Sequence, residues 1–344
     1  MHYVGVDLHK EQSWFYVSDH EGKRLISKSI TNSNEELKRI FDSIPKPFKL
    51  GVEATRNWYF FIDLAEQYAE EVKLANSFEL KAFAKRNKKT DKIDAKLICD
   101  VLRMGYLPAV HIPPKPIREI RELIRYRISL VYERTFNINR LKNTLGKLGM
   151  ECNGDLTTYK QLDKIETEGL PAIYGTVIQG HKDRIRFLTE KIRHMKMYLE
   201  ETFQEDQEII NLISIPGLSY LSAAIVKSEI VDINNFASFN RLCSYAGLAP
   251  RVSQSAKKDI HGPLSKNRRK LLQWILLEVT PHFVKASPEK KSKFDELSKR
   301  KNYNIAKVAL ARELLRMIYV VLKEKRKYYS EKIRSTAGVA LHGV

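Results

Sequence analysis

Three β-rich runs crowd the first thirty residues, and helix-like and strand-like segments alternate after them. Residues 2–8 form the first run, and 12–18 (Gln-Ser-Trp-Phe-Tyr-Val-Ser) read as a second strand. A Glu21-Gly22 turn leads to a third over 24–30. Thr31-Asn32-Ser33-Asn34 offers caps for a helix with Glu35 and Glu36 in its first turn, ending at Pro45. A strand over 48–53, a helix over 57–70, a short strand over 72–75 and a helix over 91–104 complete the series. The order β-β-β-α-β-α-β-α leaves few solutions. It suits an α/β sheet in which the first strand is central.

The run Ile112-Pro113-Pro114-Lys115-Pro116 ends that pattern. From 117 to 149 the spacing of Ile120, Leu123, Ile124, Ile128, Val131 and Leu141 makes one apolar helical stripe, decorated by Arg118, Arg121, Arg125, Arg127, Arg134, Arg140, Lys142 and Lys147. A second long helical stretch covers 181–204. The pair reads as a helical hairpin or coiled-coil arm, with two independent solvated helices as the alternative. Residues 209–335 are helical by pattern, broken at Pro216-Gly217, Gly247, Pro250, Gly262-Pro263 and Pro288. The expected division is therefore 1–112, an α/β domain; 113–208, the arm; and 209–344, a mostly α-helical domain.

Sixty Lys and Arg against 41 Asp and Glu give a net charge of +19 in 344 residues. Such an excess favours a polyanionic partner, nucleic acid ahead of an anionic membrane surface. No apolar run reaches membrane-span length, and the N-terminus has no signal-peptide pattern, so a cytoplasmic location is expected. Cys99, Cys152 and Cys243 are far apart and form no Cys-x-x-Cys pair, which argues against a zinc knot or a disulfide framework.

Asp7 interrupts an apolar strand, Val4-Gly5-Val6-Asp7-Leu8, and Glu53 ends another, Leu50-Gly51-Val52-Glu53. A carboxylate inside a sheet costs several kcal/mol unless paired or bound to metal. Asp91 and Asp94 lie three apart at the start of a helix, in Lys89-Thr90-Asp91-Lys92-Ile93-Asp94, and so share one face. Singly, Asp7 could be a strand-end cap, Glu53 a surface residue and Asp91 a helix N-cap. Together they can converge at one sheet edge, where hard oxygen ligands suit one or two Mg²⁺ ions for phosphodiester chemistry.

In the third segment, Ile213-Ser214-Ile215-Pro216-Gly217-Leu218-Ser219 resembles a helix-hairpin-helix turn, whose backbone N–H groups around Gly217 would meet a DNA phosphate. A plain Pro-Gly connection is the alternative. Gly247-Leu248-Ala249-Pro250-Arg251, Ser253-Gln254-Ser255-Ala256-Lys257-Lys258 and Gly262-Pro263-Leu264-Ser265-Lys266-Asn267-Arg268-Arg269 follow, leading through Lys270 into a helix. Lys89, Lys92, Arg251, Lys257, Lys258, Lys266, Arg268, Arg269 and Lys270 are the candidate nucleic-acid contacts.

The N-terminal motifs Val-Gly-Val-Asp-Leu-His-Lys, Val-Glu-Ala-Thr and Lys-Thr-Asp-Lys-Ile-Asp-Ala-Lys resemble the RuvC-like, RNase H-like domain of DEDD transposases of the insertion sequence 110 family, which includes pilin-gene invertases. The C-terminal motifs resemble the transposase domain of the same family. That resemblance assigns the four acidic letters to Asp7, Glu53, Asp91 and Asp94, with Mg²⁺ as cofactor. It also implies a nucleophilic serine in a polar loop, Ser255, with Ser253 as the fallback. Ala256, Lys257 and Arg268 stand where the family pattern has glycines. A serine hydroxyl needs activation, and Arg251, Lys257, Lys258 or Lys266 could stabilise the developing charge.

The resemblance further implies a recombinase acting on double-stranded DNA, guided by a structured bridge RNA encoded beside the gene, and working as dimers that pair into tetramers. Two other functions fit parts of the sequence. A junction-resolving or RNase H-like nuclease would use the carboxylates alone, and a non-catalytic DNA-bridging protein would need neither site.

Overall fold

The computed structural model describes residues 1–55, 57–83, 90–152, 154–255, 258–264 and 268–328. It divides into two compact units, Met1–Pro113 and Pro114–Val344. The first unit contains β1 (His2–Leu8), β2 (Gln12–Ser18), β3 (Arg24–Thr31), α1 (Asn34–Ser43), β4 (Phe48–Glu53), α2 (Trp58–Ala65), β5 (Glu71–Ala75), α3 (Ser77–Leu80), α4 (Asp91–Arg103) and β6 (Ala109–Val110). One mixed sheet runs β3-β2-β1-β4-β5-β6. The first strand is interior, antiparallel to β2 and parallel to β4. The three-strand meander explains this placement. It uses one edge of β1, and the crossover through α1 brings β4 to the other.

Period-two alternation separates the two faces of β1. Val4, Val6 and Leu8 pack with Leu37, Ile40, Phe41, Phe61 and Ile62 from α1 and α2. The other face carries Gly5 directly beside Gly51 of β4. A β-carbon on Gly5 would overlap Ala95 O and Cys99 N of α4, and one on Gly51 would lie 2.9 Å from Ile98 Cγ2. The paired glycines therefore form a slot that seats α4 against the sheet. Cys99 lies in this contact, its Sγ 3.3 Å from Tyr3 O, and burial pushes its thiol up to about 11. It is a packing group, not a reactive one.

Two details differ from the sequence expectation. The helix foreseen over 57–70 stops at Ala65, after which the chain turns so that Tyr68 stacks on Phe41 at 5.3 Å. The two-residue strand β6, too short to leave a periodic signal, closes the far edge antiparallel to β5.

The second unit contains α5 (Lys115–Lys147), α6 (Tyr159–Asp163), α7 (Ala172–Phe203), α8 (Gln207–Ile213), α9 (Tyr220–Ile230), a 3-10 turn at Ile233–Asn235, α10 (Phe239–Tyr245), β7 (Pro250–Ser255), β8 (Lys258–Leu264), α11 (Lys270–Lys285), α12 (Pro288–Arg300) and α13 (Tyr303–Glu324). α5 and α7 run antiparallel: Leu141 and Leu145 pack with Ile178 and Ile185, and Leu130 with Leu188 and Ile192. Arg184 Nε donates to Glu133 Oε1 at 2.9 Å across the pair. α7 begins well before the expected residue 181, running through Gly175 and Gly180 without a break. At ~1.5 Å per residue, the 33 residues of α5 extend about 50 Å.

The near ends of this pair, Ile124 and Leu199 with Phe203, belong to the same core as α8, α9, α11 and α13. The third segment is mostly helical, as the pattern predicts, and also contains a hairpin. β7 and β8 pair antiparallel, with Ser255 opposite Lys258. Arg251 to Ser255 contains one apolar residue, Val252, so this strand leaves no alternating pattern in the sequence.

A buried ionic cluster ties α5, α9 and the start of α11. Glu229 is 4% exposed and Arg121 6%. Arg269 Nε lies 2.8 Å from Glu229 Oε2, and Arg121 Nε 3.9 Å from Oε1 while also donating to Ser228 O at 2.8 Å. Glu229→Ala leaves a buried guanidinium uncompensated, so we expect a loss of about 3–5 kcal/mol in urea denaturation. A loss under 1 kcal/mol would mean that water or a rearranged partner takes over the carboxylate's role.

Candidate active site

The first unit concentrates its acidic side chains at one end of the interior strands. Parallel pairing of Val6 with Val52 continues to put Asp7 beside Glu53, on the face that carries Gly5 and Gly51. The glycine slot seats α4 on that same face, and the first turn of α4 supplies Asp91 and Asp94. Thr90 is the N-cap of α4, its Oγ1 accepting from Ile93 N at 3.3 Å, so Asp91 is not needed as a cap. Strand pairing and one close helix–sheet contact thus bring Asp7 and Asp91 into one cluster, whereas Glu53 and Asp94 act on Asp7 through their charge and are not among the clustered donor atoms.

Asp7 is 5% exposed. Burial pushes its carboxyl up to about 6; His9 pulls it down, while the negative charges of Asp91, Asp94 and Glu53 push it further up. A buried carboxylate in the field of three others is unfavourable in its charged form without a cation, and such strain marks functional sites. The imidazole of His9 joins this cluster. It stands with Nε2 3.2 Å from Asp7 Oδ2 and 3.5 Å from Asp91 Oδ1. Donor atoms of Asp7, His9 and Asp91 all lie within 4.8 Å of one another, a spacing that could hold a metal ion. The sequence signal for His9 was its phase, two residues beyond Asp7.

The expected nucleic-acid contacts fall into different classes. Lys92, on the first turn of α4, and Lys270, at the start of α11, are exposed. Lys89, Lys257 and Lys266 lie outside the described residues. The backbones of Arg251, Ser253, Ser255 and Lys258 lie on the hairpin strands. Arg268 packs its stem over Gly247, and Arg269 is engaged by buried Glu229 and lies over the Tyr245 ring. This pairing alters the expectation for Arg269: its charge is already matched inside the protein.

Gly217 adopts φ +91°, and a β-carbon there would lie 2.9 Å from Phe283 N of α11. Ser219 and Ser222 form a reciprocal cap, and Leu218 N donates to Ile215 O. These donors are satisfied within the turn, and the glycine serves close packing on α11.

A mixed sheet with an aspartate on its interior strand, a second carboxylate on the parallel neighbour and two more on the crossing helix is the arrangement of RNase H-like enzymes of the DEDD type. A family model described as a transposase, of the DEDD type of insertion sequence 110, matches residues 4–149. A second, described as Transposase IS116/IS110/IS902 family, matches residues 210–295. The chain belongs to this transposase family. It is 24% identical to the transposase for insertion sequence element IS1328 of Yersinia enterocolitica, over 92% of this chain and 96% of that protein. Identity is 26% to the transposase for insertion sequence element IS1111A of Coxiella burnetii, over 72% and 70% respectively. It is 31% to an uncharacterized 43.6 kDa protein of insertion element IS110 from Streptomyces coelicolor, over 38% and 32%. Among the described residues no helix is long and apolar enough to cross a membrane.

Proposed function

We propose that the protein excises and inserts a mobile DNA element, with Asp7, Glu53, Asp91 and Asp94 holding Mg²⁺ and Ser255 as the nucleophile. The observation that carries this reading is the clustering of Asp7 with Asp91 at metal-binding distance, with the charges of Glu53 and Asp94 also bearing on the buried Asp7 carboxylate. Oxygen-rich donors of this kind fit Mg²⁺. Bound there, the ion would polarise the scissile phosphate and the oxygen atoms around it. Asp7 is held rigidly by its strand, while Asp91 and Asp94 sit at the positive end of α4, so the carboxylates are set at fixed positions before DNA arrives.

In the strand-transfer step, Ser255 Oγ forms a bond to phosphorus as the bond to one DNA oxygen breaks. The serine proton is balanced by the proton gained on the departing DNA hydroxyl. One phosphodiester is exchanged for another, so reversal onto a new end restores DNA without an external energy source. In this reading residues 1–112 carry the carboxylates, 113–208 form a coiled-coil arm and 209–344 deliver the serine. The substrate is double-stranded DNA in the cytoplasm, read through a bridge RNA whose pairing supplies the sequence specificity.

The net charge of +19 supports a polyanionic partner, and so do two guanidiniums on α5. Burial lowers the pKa of both Arg127 and Arg134, with each other's charge adding at Arg127 and Asp155 partly offsetting at Arg134. Among the described residues no carboxylate lies within ion-pair distance of either. Phosphate would relieve both. Changing Arg268 and Lys270 to Ala should flatten the log–log salt dependence of duplex binding by about two units if both meet phosphate, at about 0.9 per contact. Arg269→Ala should leave that slope unchanged, because Glu229 already holds the guanidinium. A third unit lost with Arg269 would return it to the DNA-contacting set.

The serine domain and the carboxylate domain are proposed to join across subunits of a dimer, with pairs of dimers holding two duplexes. Mixing an Asp7→Asn chain with a Ser255→Ala chain tests this together with both chemical roles. Random dimers would give about a quarter of the sites an intact aspartate and an intact serine, so attachment of DNA to serine, which needs one site, should return to about a quarter of the wild-type level. No rescue from verified mixed dimers would favour sites built within one chain.

A further inference from the structure

We propose that His9 supplies a nitrogen ligand to the cation held by the acidic cluster, and that this nitrogen biases the site towards transition-metal ions such as Mn²⁺ over Mg²⁺. The inference rests on the carboxylate reading above and adds a residue to it. His9 follows the last residue of β1, and strand alternation returns it to the side of Asp7. Two ligands, each about 2.1 Å from one ion at angles between 90° and tetrahedral, are about 3.0–3.4 Å apart. The Nε2 distances, 3.2 Å to Asp7 Oδ2 and 3.5 Å to Asp91 Oδ1, are close to that spacing.

The backbone that carries this ring is tightly held although the ring itself is exposed. Asn32, after β3, donates Nδ2 to His9 O at 2.8 Å and is itself gripped by Ser13 Oγ at 2.6 Å. Asn57, before α2, donates to His9 O at 3.4 Å and Lys10 O at 3.3 Å. His9 N donates to Gln12 O at 3.2 Å. Three separate segments therefore fix the height of the imidazole above Asp7. A surface histidine with no task does not require such a frame.

The chemistry then follows from donor type. Mg²⁺ prefers oxygen throughout its shell, whereas imidazole favours first-row transition ions. One nitrogen among carboxylate oxygens admits both kinds of ion but shifts their ratio.

The test uses the full-length protein and Mn²⁺ alone, followed by pulsed electron paramagnetic resonance, with Mg²⁺ as competitor. Wild-type protein should show ¹⁴N modulation on bound Mn²⁺. His9→Ala should lose that modulation and lower the Mn²⁺/Mg²⁺ affinity ratio about tenfold, with Mg²⁺ affinity itself nearly unchanged. His9→Gln, which restores only an oxygen donor, should behave like His9→Ala. Both variants should keep the wild-type circular dichroism spectrum and cooperative melting, which separates ligand loss from misfolding. Bound Mn²⁺ without nitrogen modulation, or a modulation that survives in His9→Ala, overturns the role of His9 and leaves the carboxylates in place. Failure of wild-type protein to bind Mn²⁺ any better than Asp7→Asn overturns the carboxylate reading, and the His9 inference with it.

Discussion

Asp7→Asn should abolish strand cleavage and at the same time make the metal-free protein more stable. The carboxyl of Asp7 titrates at about 6 in the folded chain against an ordinary 3.8. A raised carboxylate pKa means that the folded state binds the proton more tightly than the unfolded state. Stability is therefore lost as pH rises from about 4 to 6 and stays lost above that, by up to about 3 kcal/mol at 1.36 kcal/mol per unit. Asparagine cannot ionise and removes this penalty. In EDTA at pH 7.5 the variant should melt above wild type, and the difference should vanish below pH 4, where Asp7 is protonated in both states. Added Mg²⁺ should raise the melting temperature of wild type far more than that of the variant. Cleavage should fall at least about thousandfold, since the aligned metal contributes several kcal/mol to the barrier. Equal melting curves for the two proteins without metal would show that Asp7 carries no such strain. Retained cleavage would remove it from the chemistry.

The second large effect is expected from the hairpin. Ser255→Ala should eliminate the covalent protein–DNA species on a denaturing gel and reduce joined product by at least about a thousandfold, because no other atom replaces the missing nucleophile. Ser253→Ala, two residues earlier on β7, should stay within a few-fold of wild type. The reverse result would move the nucleophile to Ser253. If Ser255→Ala still nicks DNA in Mg²⁺ at the wild-type rate but never joins it, the carboxylates act first and the serine only in joining. If both variants recombine normally, neither serine is the nucleophile; if wild type and both variants cut DNA equally and none of them joins it, the enzyme is a nuclease that uses the carboxylates alone.

The parts legible in the sequence were those with a local signature. A carboxylate at position 7 inside Val4-Gly5-Val6-Asp7-Leu8 is anomalous without knowledge of its neighbours, and the strand and helix phases around it place β1 inside the sheet. Asp91 and Asp94 announce a shared face by their spacing alone. What stayed hidden depended on partners distant along the chain. Arg269 looked like one more cation in a basic run until Glu229, forty residues earlier, proved to be its counter-charge. At Gly217 nothing nearby along the chain shows that α11 passes so close that a β-carbon there would lie 2.9 Å from Phe283 N. β7, with Val252 between polar residues and no apolar alternation, reads as a polar loop, and Gly175 and Gly180 suggest a later helix start than α7 adopts.

The seating of α4 has a bearing on how such a gene decays. A transposon copy freed from selection accumulates changes at random, and the loss of a surface lysine removes one weak attraction among sixty basic residues. A single methyl gained at position 5 is different in kind, because there is no space between the strand and Ala95 or Cys99 to receive it. The helix must lift, carrying Asp91 and Asp94 away from Asp7, while the apolar layer beneath the sheet keeps its own packing. The product is a protein that still folds and still coats DNA but can no longer cut it. One added carbon atom thus separates the fold from the arrangement that does the chemistry.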